Sequence, residues 1–294
     1  MYYVMKDKRL TSLDHLNILE IGGEGAEELL QGQLTCDLSK IVENSFALGA
    51  ICNVKGRVIN SFVLCKPPSY SGYWLICNNE MVGKTEEILK KYSPFYSVEM
   101  TTTNEYNFYA ADADQAKTIG GVHKLQQNFY STADNNSIVL PYLNKTLSLV
   151  VIKKNEDTFA REYSIDNQAA EWSLDNLRAK DVEIDQKNTE IYTPHELNFD
   201  KNHRVDFDKG CYTGQEIVAR MHYRAKSLPR LHLVQSNGSS ISPNDTVVDS
   251  ENKNLGSVVK TLEYNNSSYS LISIKKPKEE IFLKDSVIKL DYVK

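Results

Sequence analysis

The chain has no C-x-x-C pair, no G-x-S-x-G elbow, no P-loop lysine and no long apolar run. Each absence removes a class of protein. The five cysteines, Cys36, Cys52, Cys65, Cys77 and Cys211, are odd in number and not spaced as ligand pairs. This argues against a disulfide framework or a closed zinc site and fits a reducing compartment. Without the serine elbow or the phosphate loop, the common hydrolase and NTPase classes have no support. His195-Glu196 in "PHELNFDKNH" would need a histidine where Phe199 stands to make a zinc helix, so no metal ligands are assigned. The N-terminal "MYYVMKDKRLTSLDHL" has no apolar run behind a basic start, so neither a secretory signal nor a membrane span is expected. The expected location is the cytoplasm. Positive charge is also short, 34 Lys and Arg against 39 Asp and Glu, and the net charge of -5 argues against a protein that coats DNA or other nucleic acid non-specifically.

What is present is an ordinary globular composition, 41% hydrophobic and 25% charged, over 294 residues. At that length a single core commonly gives way to two or more domains. "LNILEIGG" (Leu16 to Gly23) alternates as a strand and leads into a short helix in "GEGAEELLQGQL". The glycines between them do not complete a dinucleotide fingerprint, because Glu28 stands at the third glycine position and Glu24 and Glu27 would repel a pyrophosphate. "FALGAICNVKGRVINSFVLC" (Phe46 to Cys65) reads as a hairpin turning at Lys55-Gly56. "EMVGKTEEILKKY" (Glu80 to Tyr92) and "NQAAEWSLDNLRAK" (Asn167 to Lys180) have helical spacing, and "TADNNS" is a polar turn. From Arg230 onward the chain is short strands between Asn, Gly, Ser and Pro, so a boundary is expected near Lys226 to Pro229, followed by a small β-barrel or sandwich. The order of elements fits α+β better than a repeated βαβ sheet.

The chemistry concentrates in "DKGCYTGQEIVAR" (Asp208 to Arg220). Thr213-Gly214-Gln215-Glu216 fits a capping box, which would start a helix at Thr213, with Tyr212 and Ile217 at the hydrophobic-staple positions. Cys211 would then lie just ahead of a positive helix end, with Lys209 as a nearby cation, and both features favour a thiolate. A buried structural cysteine is the competing reading, and on local physics the two stand level. The other four cysteines sit in or beside apolar strands and read as packing residues. Arg220, Arg224, Lys226 and Arg230 carry four positive charges over eleven residues without an acid. Arg220 and Arg224 stand one helical turn apart and could face a carboxylate or phosphate, or simply solvent.

With its surroundings, "KGCYTGQEIVAR" resembles the signature of the YgfZ-type folate-binding proteins, relatives of the glycine-cleavage aminomethyltransferase. "LLQGQLTCDL" (Leu29 to Leu38), "GAICNVKGRV" (Gly49 to Val58) and "YTPHELNFD" (Tyr192 to Asp200) are similar to further family motifs, and the resemblance runs from Leu13 to about Leu231. It implies an α+β fold with two intertwined folate-binding subdomains over residues 1–226 and a C-terminal β-barrel over 227–294. It also implies tetrahydrofolate as cofactor, iron-sulfur enzymes or their assembly machinery as partners, and an indirect effect on tRNA modification. On this reading Cys211, Lys209 and Glu216 form the reactive centre. Trp172 matches one of two folate-associated tryptophans, Leu16 stands where the other would be, and Arg220 and Arg224 offer partners for the folate glutamate tail. A folate-dependent aminomethyl transferase and a non-catalytic scaffold are the alternatives. The transferase is disfavoured because Asn60-Ser61 stands where those enzymes carry an aspartate pair.

Overall fold

The computed structural model describes residues 9–293 apart from 43, 69, 125–128, 133–136, 143–144, 155–161, 226, 238–240 and 287. Lys226 and most of the "TADNNS" turn therefore lie outside the described residues. The chain runs β1 (Arg9–Ser12), β2 (Leu16–Gly22), α1 (Ala26–Gln33), β3 (Phe46–Cys52), β4 (Val58–Cys65), β5 (Gly72–Asn78), α2 (Asn79–Lys90), β6 (Glu99–Thr103) and β7 (Tyr106–Ala111). There follow α3 (Ala113–Ile119), β8 (Ser137–Pro141), β9 (Ser148–Lys153), β10 (Ser164–Asp166), α4 (Ala170–Ala179) and α5 (Gln215–Arg224). The last part is all strand: β11 (Arg230–Asn237), β12 (Thr246–Asp249), β13 (Asn254–Tyr264), β14 (Ser267–Ile274), β15 (Ile281–Leu283) and β16 (Lys289–Tyr292). Two five-stranded sheets, ordered β10-β1-β7-β9-β8 and β3-β4-β5-β2-β6, accompany a closed barrel, β11-β14-β13-β12-β15-β16. The fold is α+β.

Two compact units interleave along the sequence. The first comprises Met1–Leu30, Leu38–Leu48 and Phe62–Asp175, and the second Gln31–Asp37, Gly49–Ser61 and Asn176–Lys294. The first unit is built on one aromatic-rich core. Trp74 meets Tyr106 edge to face at 4.5 Å, and its indole N–H donates to Glu20 at 3.1 Å, so the ring is buried without orphaning its polar atom. Leu16, Phe46, Tyr142 and Trp172 belong to the same core.

In the second unit the barrel interior is filled by branched aliphatics, among them Val234, Val247, Val258, Ile272, Ile274 and Ile281. The register between β13 and β14 shifts between Val258 and Lys260, and such a bulge adds the local twist that closing a six-stranded sheet requires. A bidentate ion pair stiffens the unit's remainder: Arg204 donates from Nε and Nη2 to Asp181 at 2.8 and 2.9 Å, with both side chains buried.

The β3–β4 turn is built as its sequence suggests. The Asn53 side chain accepts from the amides of Lys55 and Arg57, both at 3.0 Å, and Gly56 takes a left-handed conformation at φ 68°. This tip meets the start of α5. Gly214, at φ 86°, comes so close that a Cβ on it would stand 2.4 Å from the Asn53 carbonyl oxygen. Only glycine fits there, for backbone conformation and for space.

The two glycines of the motif should therefore respond differently. Gly214→Ala is expected to lose at least about 1–2 kcal/mol in urea denaturation, from the left-handed backbone and the contact with Asn53. Gly210, which has open space around the Cβ position, should accept alanine within about 0.5 kcal/mol.

Candidate functional site

The capping box expected at Thr213 and Glu216 does not form. Helix α5 begins at Gln215 with Gly214 as its N-cap, and no side chain caps it. The Thr213 hydroxyl instead donates to Gln33 Oε1 at 2.9 Å, and the Thr213 amide donates to the Gly32 carbonyl at 3.2 Å. A left-handed Gly214 turns the chain between Thr213 and the helix, which takes Thr213 out of the N-cap position. Glu216, exposed in the first turn of α5, is thus not the reciprocal partner the sequence suggested. An acid in the first helical turn still complements the helix dipole.

Lys209 and Cys211 are two residues apart and differ in every physical respect. Lys209 is only 7% exposed, and its ammonium donates to the Gln31 carbonyl at 2.7 Å and the Leu34 carbonyl at 2.5 Å. Gln31 lies in the last turn of α1 and Leu34 directly follows the helix, which has no basic residue in its own last turn. Lys209 supplies that cation from far along the chain, where the dipole is negative. Its ammonium also stands 5.3 Å from the centre of the buried Tyr212 ring. Burial pushes the Lys209 ammonium below its ordinary value, opposed by nearby Cys36, Asp37 and Asp206. Cys211, by contrast, is exposed.

The remaining thiols are buried. Burial drives Cys36, Cys52 and Cys65 up to about 12, and at Cys36 the Lys209 ammonium offsets only part of that rise. Their packing role agrees with the sequence reading. Arg220 and Arg224 are exposed on α5, whereas Asn60 and Ser61 are buried. The Ser61 hydroxyl donates to the Val182 carbonyl at 3.0 Å and accepts from the Ile184 amide at 3.1 Å, so it is engaged with backbone.

Trp172 and Leu16 lie in the first unit, and Cys211, Lys209, Glu216, Arg220 and Arg224 in the second. Trp172 is 1% exposed. Its indole meets Tyr142 edge to face at 5.7 Å, and the Lys145 ammonium stands 5.0 Å from the Trp172 ring and 4.1 Å from that of Tyr142. Asp175, on the same helix as Trp172, fixes the segment after Lys145. It accepts from the Thr146 and Leu147 amides at 2.9 and 3.0 Å and from the Thr146 hydroxyl at 2.8 Å. The resulting group of two aromatics and a cation suits a flat, electron-rich or anionic ligand. Sequence reasoning found Trp172 but not Tyr142, Lys145 or Asp175. No periodicity links a loop residue to a helix about 30 positions away, and the acid one helical turn after Trp172 was the only available hint.

No family model matches the sequence. A tRNA-modifying protein YgfZ from Colwellia psychrerythraea is 26% identical over 253 residues, covering 82% of this chain and 76% of that protein. The protein of the same name from Buchnera aphidicola is 24% identical over 247 residues, covering 78% and 74%. Among solved structures, the glycine cleavage system aminomethyltransferase T from Bartonella henselae superposes with a TM-score of 0.72 at 12% identity, over 97% of this chain and 85% of that one. At that identity the likeness is one of fold.

The burial of four thiols and the exposure of one give a direct expectation. At about pH 8, iodoacetamide should modify Cys211 in the native protein and spare the other four cysteines until urea is added. Peptide mass spectrometry reads this out, and native modification of Cys36 or Cys52 at a comparable rate would contradict it.

Proposed function

From the premise that the chain is a YgfZ-type relative of the glycine-cleavage aminomethyltransferase, we propose that it is a folate-binding accessory protein for tRNA modification. In this reading it acts through assembly or repair of iron-sulfur clusters in the modifying enzymes, and Cys211 is its reactive centre. The observation that carries the reading is the contrast inside one motif. Lys209 and Tyr212 are buried and Thr213 is hydrogen-bonded to residues 32 and 33, yet the cysteine among them is exposed. A packing cysteine would have no reason to face solvent on so firmly held a turn. An exposed thiol on a firmly held turn has the setting of a nucleophile, a redox group or a transient ligand.

Tetrahydrofolate is the proposed cofactor. Support comes from the fold and from the Trp172, Tyr142 and Lys145 group, where a pterin or aminobenzoyl ring would meet aromatic surface and its carboxylates a cation. Because Trp172 is 1% exposed within the packed core of its unit, binding would require side chains around its ring to move. Leu16, in the same core, would line the apolar side. Arg220 and Arg224 lie in the other unit, exposed on α5, and are not assigned to this group. Aminomethyl transfer is the weaker reading: Asn60 and Ser61 carry no charge, and Ser61 is engaged with Val182 and Ile184. An uncharged pair offers no carboxylate to stabilise a developing iminium.

The test is complementation in a bacterial strain lacking its own YgfZ-type protein, with modified tRNA nucleosides quantified. Wild type should restore them. Cys211→Ser should unfold within about 0.5 kcal/mol of wild type, as an exposed substitution does, and fail to restore them. Full rescue by Cys211→Ser would sink the thiol's role and favour a scaffold. The cofactor is read on the purified protein: tetrahydrofolate should raise the melting temperature, less so in Trp172→Phe, and no shift at saturation would remove it.

A further inference from the structure

His195 is fully buried, at 0% exposure, and neither ring nitrogen has a hydrogen-bond partner among the described residues. That is unusual, because a buried imidazole offers a donor and an acceptor and leaving both unmet costs desolvation without return. The ring lies in a 3-10 turn, His195–Leu197, held at its end by Asn198 in a left-handed conformation. Two further ligand-bearing side chains converge on it, Asp200 and His222. One ligand atom from each of the three lies within 4.8 Å of the others.

The three groups are arranged by neighbours that leave their ligand atoms available. Phe207 stacks on the His222 ring at 3.7 Å, and the His195 and His222 ring centres are 5.7 Å apart. Arg230 donates to Asp200 Oδ1 at 2.6 Å and more weakly to the His195 carbonyl at 3.3 Å, which aims the carboxylate and leaves its second oxygen open. A carboxylate ligand held by an outer hydrogen bond is a usual feature of metal sites.

We propose that His195, Asp200 and His222 form a site for a divalent first-row transition metal, of the two-histidine, one-carboxylate type with open coordination positions. The donor set suits zinc or ferrous iron. With metal-ligand bonds of about 2.0–2.1 Å, donor atoms stand roughly 3 Å apart, so the group must close slightly. His222 is the residue able to do this, being exposed in the last turn of α5. Its exposure also places the open positions on the solvent side. The zinc-helix template fails on this chain because the ligands are gathered from a 3-10 turn, a loop and a helix rather than from successive turns of one helix.

The test uses the tag-free, full-length chain stripped of metal and titrated calorimetrically with Zn²⁺ and, anaerobically, with Fe²⁺. Co²⁺ serves as a visible-absorption probe of coordination. About one equivalent should bind, and His222→Ala and Asp200→Asn should each weaken it on the order of 10–100-fold or more, with circular dichroism confirming that they fold. Binding to Zn²⁺ or Fe²⁺ alone identifies the metal and supports the site. Cys211→Ser, which removes the exposed thiol as a competing ligand, should titrate as wild type. Absence of binding by all three cations, unchanged affinity in His222→Ala, or binding that disappears with Cys211→Ser would overturn the proposal.

Discussion

The Lys209 ammonium against the carbonyls of Gln31 and Leu34 is the contact on which the arrangement around Cys211 rests. It joins positions 178 and 175 residues apart in sequence. Helix α1 ends without a basic residue, and burying a lysine there meets the helix's need for a cation while the carbonyls offset part of the ammonium's desolvation. The two segments are then laced together. The Asp206 amide donates to Thr35 at 2.9 Å, Thr213 donates from its amide to Gly32 and from its hydroxyl to Gln33, and the Thr35 hydroxyl reaches the Arg204 carbonyl. Along this double track Cys211 is left facing outward.

Glycine completes the construction from the other side. Gly214 lets the chain turn into α5 without a Cβ where the Asn53 carbonyl stands, and Gly56 at the hairpin tip has the Ile217 side chain within 3.0 Å of where its own Cβ would be. The motif, the end of α1 and the β3–β4 tip are thus parts of one built object. It explains why three separated stretches, "LLQGQLTCDL", "GAICNVKGRV" and "KGCYTGQE", carry the family resemblance together: their backbones are in contact.

Local pattern made much of the fold legible. The 3.6-residue spacing in "EMVGKTEEILKKY" marked α2, the apolar runs around Lys55-Gly56 marked β3 and β4, and the short strands after Arg230 marked the barrel. Local pattern also misled at Thr213, where S/T-x-x-E promised a capping box. The hydroxyl found Gln33 instead, a partner 180 positions away that no local rule can supply. Lys209 shows the same limit: its spacing from Cys211 suggested a shared electrostatic role, whereas its ammonium is directed into the end of α1. The aromatic group around Trp172 and the convergence of His195, Asp200 and His222 were likewise invisible, because both are assembled by tertiary packing rather than by spacing.

The role of Lys209 as anchor is tested most directly by amide hydrogen exchange on Lys209→Met. The Thr213 amide, held by the Gly32 carbonyl only while the two segments stay joined, should exchange at least about tenfold faster than in wild type, while the amides of α2 keep their protection. Unchanged protection at Thr213 would contradict the account, and the exposure of Cys211 would then need another cause.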